Sequence, residues 1–301
     1  MSIASPYAPL IAGVPVRDDE VAVLGGRTRF WVYGPDDARD RIVFLHGLRG
    51  DHHGLEPIVA HLAGAQVVVP DLPGFGASRP LPTTPHDVVG YAAWTRELLA
   101  AVAPSGDAVL AGHSFGSIVA TAALAAAPPP RVRALVLVNP IAASALAGPR
   151  RVMTGVTVAY HRLAAALPER LGTALLRHPL MTRIASVAMA TTRDRDLRRW
   201  IHAEHDRYFS TFADRRTLLE AFHASVENDV AGFAADVDVP TLLVAADRDD
   251  IAPLPTQRAL TMRFPHARLA TVPGTGHLAH YEAPAEVARE ITAFLAGLPA
   301  S

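Results

Sequence analysis

Three observations predict an α/β protein with a mostly parallel sheet and helices on both faces. Short continuous apolar runs, of strand length, recur along the chain. Segments with apolar residues at helical spacing lie between them. At residues 108–120, AVLAGHSFGSIVA, one such run turns sharply into a helix through Gly112-His113-Ser114-Phe115-Gly116. The 301 residues allow one large α/β domain or two ordinary ones, and with 50% hydrophobic residues a sizeable core is available.

Taken in order, residues 1–15 are Pro-rich and read as a loose arm. Residues 20–33 read as two strands joined at Gly25-Gly26, because Val21 and Val23, then Phe30 and Val32, alternate. The runs Ile42–Leu45, Val67–Val69, Ala108–Leu110, Leu135–Val138 and Leu242–Val244 read as strands buried on both faces. Arg268–Val272 is the last strand. Helical spacing covers Leu55–Leu62, Val88–Val102, Phe115–Ala127 and Ala285–Leu295.

Between about Ile141 and Asp236 the alternation gives way to helix throughout. Val152, Val156, Ala159, Leu163 and Ala166 share one helical face. Leu197, Trp200, Ile201, His205 and Tyr208 share another, and Leu218, Leu219, Phe222 and Val226 a third. Pro168, Pro179 and the charged run 193–196 read as breaks. The chain therefore divides into a core, residues 1–140 and 237–301, and an inserted unit of three to five helices, residues 141–236. The apolar positions Val156, Leu163, Leu175, Leu180, Ile184, Met189, Trp200 and Tyr208 are expected to hold that insertion together, pack it on the core and in part line a cavity. Its arginines are expected to line a solvated face.

Composition excludes much chemistry. There are no cysteines and no lysines, so disulfides, thiolate metal sites, Schiff bases and the P-loop lysine drop out. A formal net charge of -1 gives no argument for nucleic acid or an anionic membrane. No apolar stretch reaches membrane-span length, and the N-terminus lacks the pattern of a signal peptide, so a cytoplasmic location is expected. Nothing in the sequence fixes the oligomeric state.

The turn at Ser114 puts a hydroxyl at a strained apex, flanked by Gly112 and Gly116, which leave room for it. The Phe115 N–H and a helix N-terminus lie beside the hydroxyl. A serine hydroxyl needs a base. His277, in Val272-Pro273-Gly274-Thr275-Gly276-His277 after the last strand, is the candidate. Its other nitrogen needs a carboxylate. Asp247, Asp249 and Asp250 all follow the strand at 242–244, and Asp249, four residues before Pro253, is preferred. His113 is expected to be structural, because its side chain leaves the strand on another side. Asp51, His52 and His53, and the pair His277 and His280, hint at a metal, but no second cluster at ligand spacing supports one, and none is expected.

In this order, Ser114 then Asp249 then His277, the chain resembles the capped α/β-hydrolases from about residue 20 to 297. The resemblance implies an α/β-hydrolase fold, a mostly parallel eight-stranded sheet with an inserted helical cap. The segment Ala246-Asp247-Arg248-Asp249-Asp250-Ile251-Ala252-Pro253 matches the family's G-x-x-D-x-x-x-P pattern, with Ala246 in place of glycine, and selects Asp249 as the acid. Asn139 occupies the family's other acid position and cannot act as a carboxylate. Leu45-His46-Gly47-Leu48-Arg49-Gly50 resembles the H-G loop. That implies that the Leu48 and Phe115 amides form an oxyanion hole, with His46 as a hydrogen-bonded loop residue and Gly47 beside it. Asp71-Leu72-Pro73-Gly74-Phe75-Gly76-Ala77-Ser78 resembles an architectural loop of the same family.

The implied chemistry is cofactor-free acyl transfer to water on a small-to-medium hydrophobic carboxylic ester. Lactones, thioesters and a perhydrolase side reaction fall within reach of the same site. Two other readings stay open. One is a carbon–carbon bond hydrolase of vinylogous diketones, for which Arg49 could face a substrate carboxylate. The other is a non-enzymatic ligand-binding member of the fold.

Overall fold

The computed structural model describes residues 3–62, 64–144 and 151–299. Its strands are β1 (Val16–Val23), β2 (Gly26–Tyr33), β3 (Arg41–Leu45), β4 (Gln66–Pro70), β5 (Val109–His113), β6 (Ala134–Val138), β7 (Thr241–Ala246) and β8 (Ala267–Val272). They form one eight-stranded sheet in the order β1-β2-β4-β3-β5-β6-β7-β8. β1 and β2 run antiparallel, as do β2 and β4, and the remaining pairs are parallel.

The continuous apolar runs have a direct cause. Every residue of β4, β5, β6 and β7 is buried, because both faces of the sheet are covered. Period-two alternation sends Val43, Leu45, Leu110, Leu135, Leu137 and Leu243 into one core. Ile42, Phe44, Val109, Val136, Val138 and Leu242 enter the other. Each such side chain contributes about 1.5–3 kcal/mol by leaving water.

The helices are α1 (Ala8–Ile11), α2 (Glu56–Val59), α3 (Val88–Val102), α4 (Phe115–Ala125), α5 (Arg151–Ala166), α6 (Glu169–Leu176), α7 (Pro179–Met189), α8 (Arg195–Tyr208), α9 (Arg215–Glu227), α10 (Leu254–Thr261), α11 (Ala279–Glu282) and α12 (Pro284–Ala296). α3 and α4 cover the first core with Trp94, Leu98, Ile118 and Val119. α2 and α12 cover the second with Ile58, Val59, Ile291 and Phe294. α5 to α9 are inserted between β6 and β7. Asp194 caps α8 by accepting from the Asp196 and Leu197 amides, and Pro179 opens α7, where its missing N–H costs nothing. No helix among the described residues is long and apolar enough to cross a membrane.

Several expectations need correction. The arm is not loose: α1 forms there, and the Tyr7 hydroxyl donates to Tyr281 O at 2.6 Å while its ring meets Trp200 edge-on. Leu55–Leu62 is a single α-turn, Glu56–Val59, entered from a 3₁₀ turn at His52–Leu55. α10 was not anticipated, since it is short and opens with Pro253 and Pro255 around one turn.

The predicted face of α5 is largely exposed, with Val156 bordering the cavity that holds Ser114, as expected of part of that set. Val156 is 66% exposed and Leu163 55%, and Ala159 and Ala166 are exposed too, whereas His161 and Ala164 are buried. Val152 lies outside the described side chains. On α7, Leu180 is likewise exposed, while Ile184, though 52% exposed, and Met189 border that same cavity. The predicted faces of α8 and α9 do turn inward through Trp200, Ile201, His205, Leu218, Phe222 and Val226. Two arginines of the insertion are not merely solvated: Arg215 donates to Ala164 O and Leu167 O, and Arg177 lies over the Phe212 ring.

Candidate active site

β5 ends at His113, and α4 starts at Phe115, so the whole reversal falls on Ser114. Its backbone sits at φ 52, ψ -118, a region that an L-residue occupies only under constraint. The glycines are required by contact. A Cβ on Gly112 would lie 2.3 Å from Gly116 O, and one on Gly116 would lie 2.4 Å from Leu45 O.

Loops after β5, β7 and β8 bring three side chains into line. His277 Nε2 lies 2.8 Å from Ser114 Oγ, and His277 Nδ1 lies 2.8 Å from Asp249 Oδ2. The other carboxylate oxygen, Asp249 Oδ1, accepts from the Ile251 amide at 2.8 Å and the Ala252 amide at 3.0 Å. Burial would raise the Asp249 pKa. The imidazole beside it and the amide donors outweigh that, holding the carboxyl below its usual range. Asp247 and Asp250 are exposed, and Asp247 accepts instead from the Gly274 amide at 2.7 Å.

The H-G loop after β3 packs against the elbow. A Cβ on Gly47 would come within 3.2 Å of His113 Nδ1 and 3.3 Å of Ser114 Cβ. His46 Nε2 accepts from the Leu72 amide at 2.9 Å, so Nδ1 carries the proton and donates to Gly47 O at 2.8 Å. Burial lowers the pKa of His46, which stays neutral. The Leu48 and Phe115 N–H groups donate to no acceptor among the described residues, and both residues line the cavity that contains Ser114. That cavity has a volume of about 490 Å³ and largely apolar walls, including Ile141, Met181, Met189, Phe209 and Phe222.

His113 does not face the Ser114 hydroxyl. Its Nε2 approaches His277 O at 3.5 Å, and burial, with His277 nearby, pushes its pKa down to about 3. Asp71 is a loop organiser, accepting from the His52 amide, His52 Nδ1 and the Ala77 amide. Asp51, His52 and His53 bring ligand atoms within 4.8 Å of one another. Each histidine Nδ1 there is already spent on a carboxylate, His52 on Asp71 and His53 on Asp51. His280 is buried against His113, with ring centroids 4.1 Å apart.

Sequence reasoning missed one positioning residue. Asn139, at φ 44, donates from Nδ2 to Gly276 O at 3.0 Å and accepts at Oδ1 from the Ala246 amide at 3.2 Å. It ties the loop of Asp249 to the loop of His277. Its position at the end of β6 was visible in the sequence, but the two loops it bridges were not.

A family model described as "Alpha/beta hydrolase family" matches residues 42–290, and the chain belongs to that family. It is 29% identical over 259 residues to a pimeloyl-[acyl-carrier protein] methyl ester esterase from Xanthomonas campestris pv. campestris, covering 86% of this chain and 96% of that one. It is 24% identical over 273 residues to Lipase 3 of Moraxella sp., covering 89% and 81% of the two chains. A solved esterase from Exiguobacterium antarcticum superposes with a TM-score of 0.73 at 16% identity, covering 92% of this chain and 99% of that one, which is a likeness of fold.

Proposed function

We propose that this protein is a serine hydrolase that cleaves a small-to-medium carboxylic ester through an acyl-enzyme on Ser114. The single observation that carries the reading is the continuous hydrogen-bonded chain from Ser114 Oγ through His277 to Asp249, opening into the apolar cavity. Similarity to an esterase and a lipase supports ester hydrolysis in general.

In this reading, Ser114 Oγ attacks the ester carbonyl as His277 Nε2 takes its proton. The Leu48 and Phe115 amides receive the developing oxyanion, each donor worth about 2.7–4 kcal/mol in the transition state. The C–O bond breaks, and His277 returns the proton to the departing alcohol. Water, deprotonated by His277, then attacks the acyl carbon, and as the acid leaves, His277 returns that proton to Ser114 Oγ. Asp249 holds the imidazole in its productive tautomer and stabilises the imidazolium. No cofactor enters the scheme. The helices at 141–236 act as a cap over the cavity. The same residues could serve a carbon–carbon bond hydrolase, and Arg49 on the cavity wall keeps that second reading in view.

The test is covalent labelling with a fluorophosphonate together with hydrolysis of p-nitrophenyl butyrate. Label on Ser114, with both label and turnover lost in Ser114→Ala, is expected; turnover retained in Ser114→Ala would reject the nucleophile. A vinylogous diketone run beside the ester separates the two chemistries.

A further inference from the structure

Arg49 follows Leu48 directly, with a left-handed φ of 63 that turns its side chain away from the β3 loop. It extends beneath the inserted helices. There Nε donates to Phe209 O at 2.9 Å, and Nη2 donates to Leu176 O at 2.9 Å. The guanidinium lies 5.7 Å from the centroid of the Phe209 ring and 5.7 Å from that of Phe212. These partners are backbone dipoles and ring faces; none carries a charge. Among the described residues no carboxylate pairs with Arg49, and its Nη1 group donates to nothing.

A half-buried guanidinium held in this way, with no counter-charge, is unusual. Burying a charge is costly unless a counter-charge accompanies it. Arg49 cannot escape by losing its proton: burial pushes its pKa down only to about 10, so it stays cationic at neutral pH. It lines the same cavity as Ser114, where it is the one arginine among the described residues. Asp51, the acid on that wall, already accepts from the His53 amide and His53 Nδ1.

A second unpartnered polar atom lines the same cavity. His161 Nδ1 donates to Thr157 O at 2.8 Å, which leaves its buried Nε2 without a partner. Burial, helped by the Arg49 charge, lowers the His161 pKa to about 4, so the ring is neutral. Arg49 is then the cation on this wall that waits for an anion.

We propose that Arg49 binds a carboxylate carried by the substrate, so that the preferred esters bear a free acid group away from the bond that is cleaved. This rests on the ester-hydrolase reading and narrows its substrate class. A carboxylate fits better than a phosphate for two reasons. Its single charge matches one guanidinium, and its two oxygens match the free end of the planar fork. The largely apolar lining of the cavity that Ser114 and Arg49 share suits a methylene chain joining the two groups.

The experiment compares hemiesters of a length series of alkanedioic acids with neutral alkanoate esters of equal length. In the wild-type enzyme the hemiester kcat/KM is expected to exceed the neutral one by roughly 10- to 100-fold at the best length. Arg49→Gln is expected to collapse that ratio, and Arg49→Lys, which keeps the charge but loses the fork, to retain part of it. A ratio unchanged in Arg49→Gln would mean that Arg49 only props the cap, and would overturn the proposal. So would a wild-type preference for the neutral ester at every length.

A mutation-free arm covers a variant that fails to fold. Alkanedioates should protect wild-type Ser114 from a fluorophosphonate at about tenfold lower concentration than alkanediols of equal length, and equal protection counts against Arg49. Turnover of p-nitrophenyl butyrate with no hemiester preference overturns the Arg49 assignment alone. Alkanedioate protection without turnover of any ester overturns the hydrolase reading and supports the carboxylate site.

Discussion

Ser114 is held in a backbone conformation that only a tightly packed surround can enforce, and the proposed function rests on that enforcement. Replacing it by alanine keeps the same φ problem but removes the proposed nucleophile. Ser114→Ala should lower kcat/KM by about 10⁴-fold or more, with its circular-dichroism spectrum unchanged. Asp249 and Asp247 offer a sharper comparison, since both lie in the same loop and only Asp249 reaches His277. Asp249→Asn should cost about 10⁴-fold in kcat, and Asp247→Asn less than about tenfold, because the latter loses only one exposed bond to a loop amide. Stability should follow the same residue. The Asp249 carboxyl has a folded-state pKa below its unfolded one. Its contribution is therefore present above the unfolded value, near about pH 4, and is lost as pH falls through the depressed folded value. Urea midpoints measured from neutral to acid pH should show this loss in the wild type and a flatter profile in Asp249→Asn.

At the scale of elements, the elbow works because β5 and α4 approach with no side chain between them. Gly116→Ala would force a Cβ to 2.4 Å from Leu45 O, against backbone that cannot rotate away. Destabilisation of about 3 kcal/mol or more is expected, read as a fall in urea midpoint together with activity. The inserted helices give a contrasting test of which face packs. Leu163 is 55% exposed on α5, so Leu163→Ser should shift stability by no more than about 0.5 kcal/mol. Trp200 is 3% exposed on α8 and meets Tyr7 and Tyr281, so Trp200→Ala should cost about 3–5 kcal/mol. The helical period marked both faces as apolar. It could not say which apolar face turns inward, because the buried side of α5 is made of His161, Ala164 and the half-buried Tyr160, residues that do not stand out in hydropathy.

Across the whole molecule, several polar contacts join the inserted helices to the sheet domain, and two sets of them adjoin the site. Arg49 reaches Leu176 and Phe209 from the β3 loop. Elsewhere, Glu282 accepts from the Thr191 and Thr192 amides at 2.6 and 2.8 Å, and Thr191 Oγ1 in turn accepts from the Gly276 amide at 2.9 Å, next to His277. Glu282→Ala would strand those cap amides. It should destabilise the protein by about 2 kcal/mol and lower kcat through the His277 loop, which thermal unfolding and steady-state kinetics on one sample would check.

What the amino-acid order carried alone was the sheet, the elbow and the order of the proposed nucleophile, acid and base, with Asp249 picked from its neighbours by the resemblance to the family's motif. Strands buried on both faces must be continuously apolar, and a one-residue reversal must be flanked by glycine, so both leave a local signature. Tertiary structure decided the rest: the inward face of α5, the role of Asn139 between two distant loops, the packed N-terminal arm, and the unpaired charge of Arg49 in the cavity. Those properties depend on contacts between segments far apart in the chain, and no local pattern of hydropathy or spacing encodes which distant surface a side chain will meet.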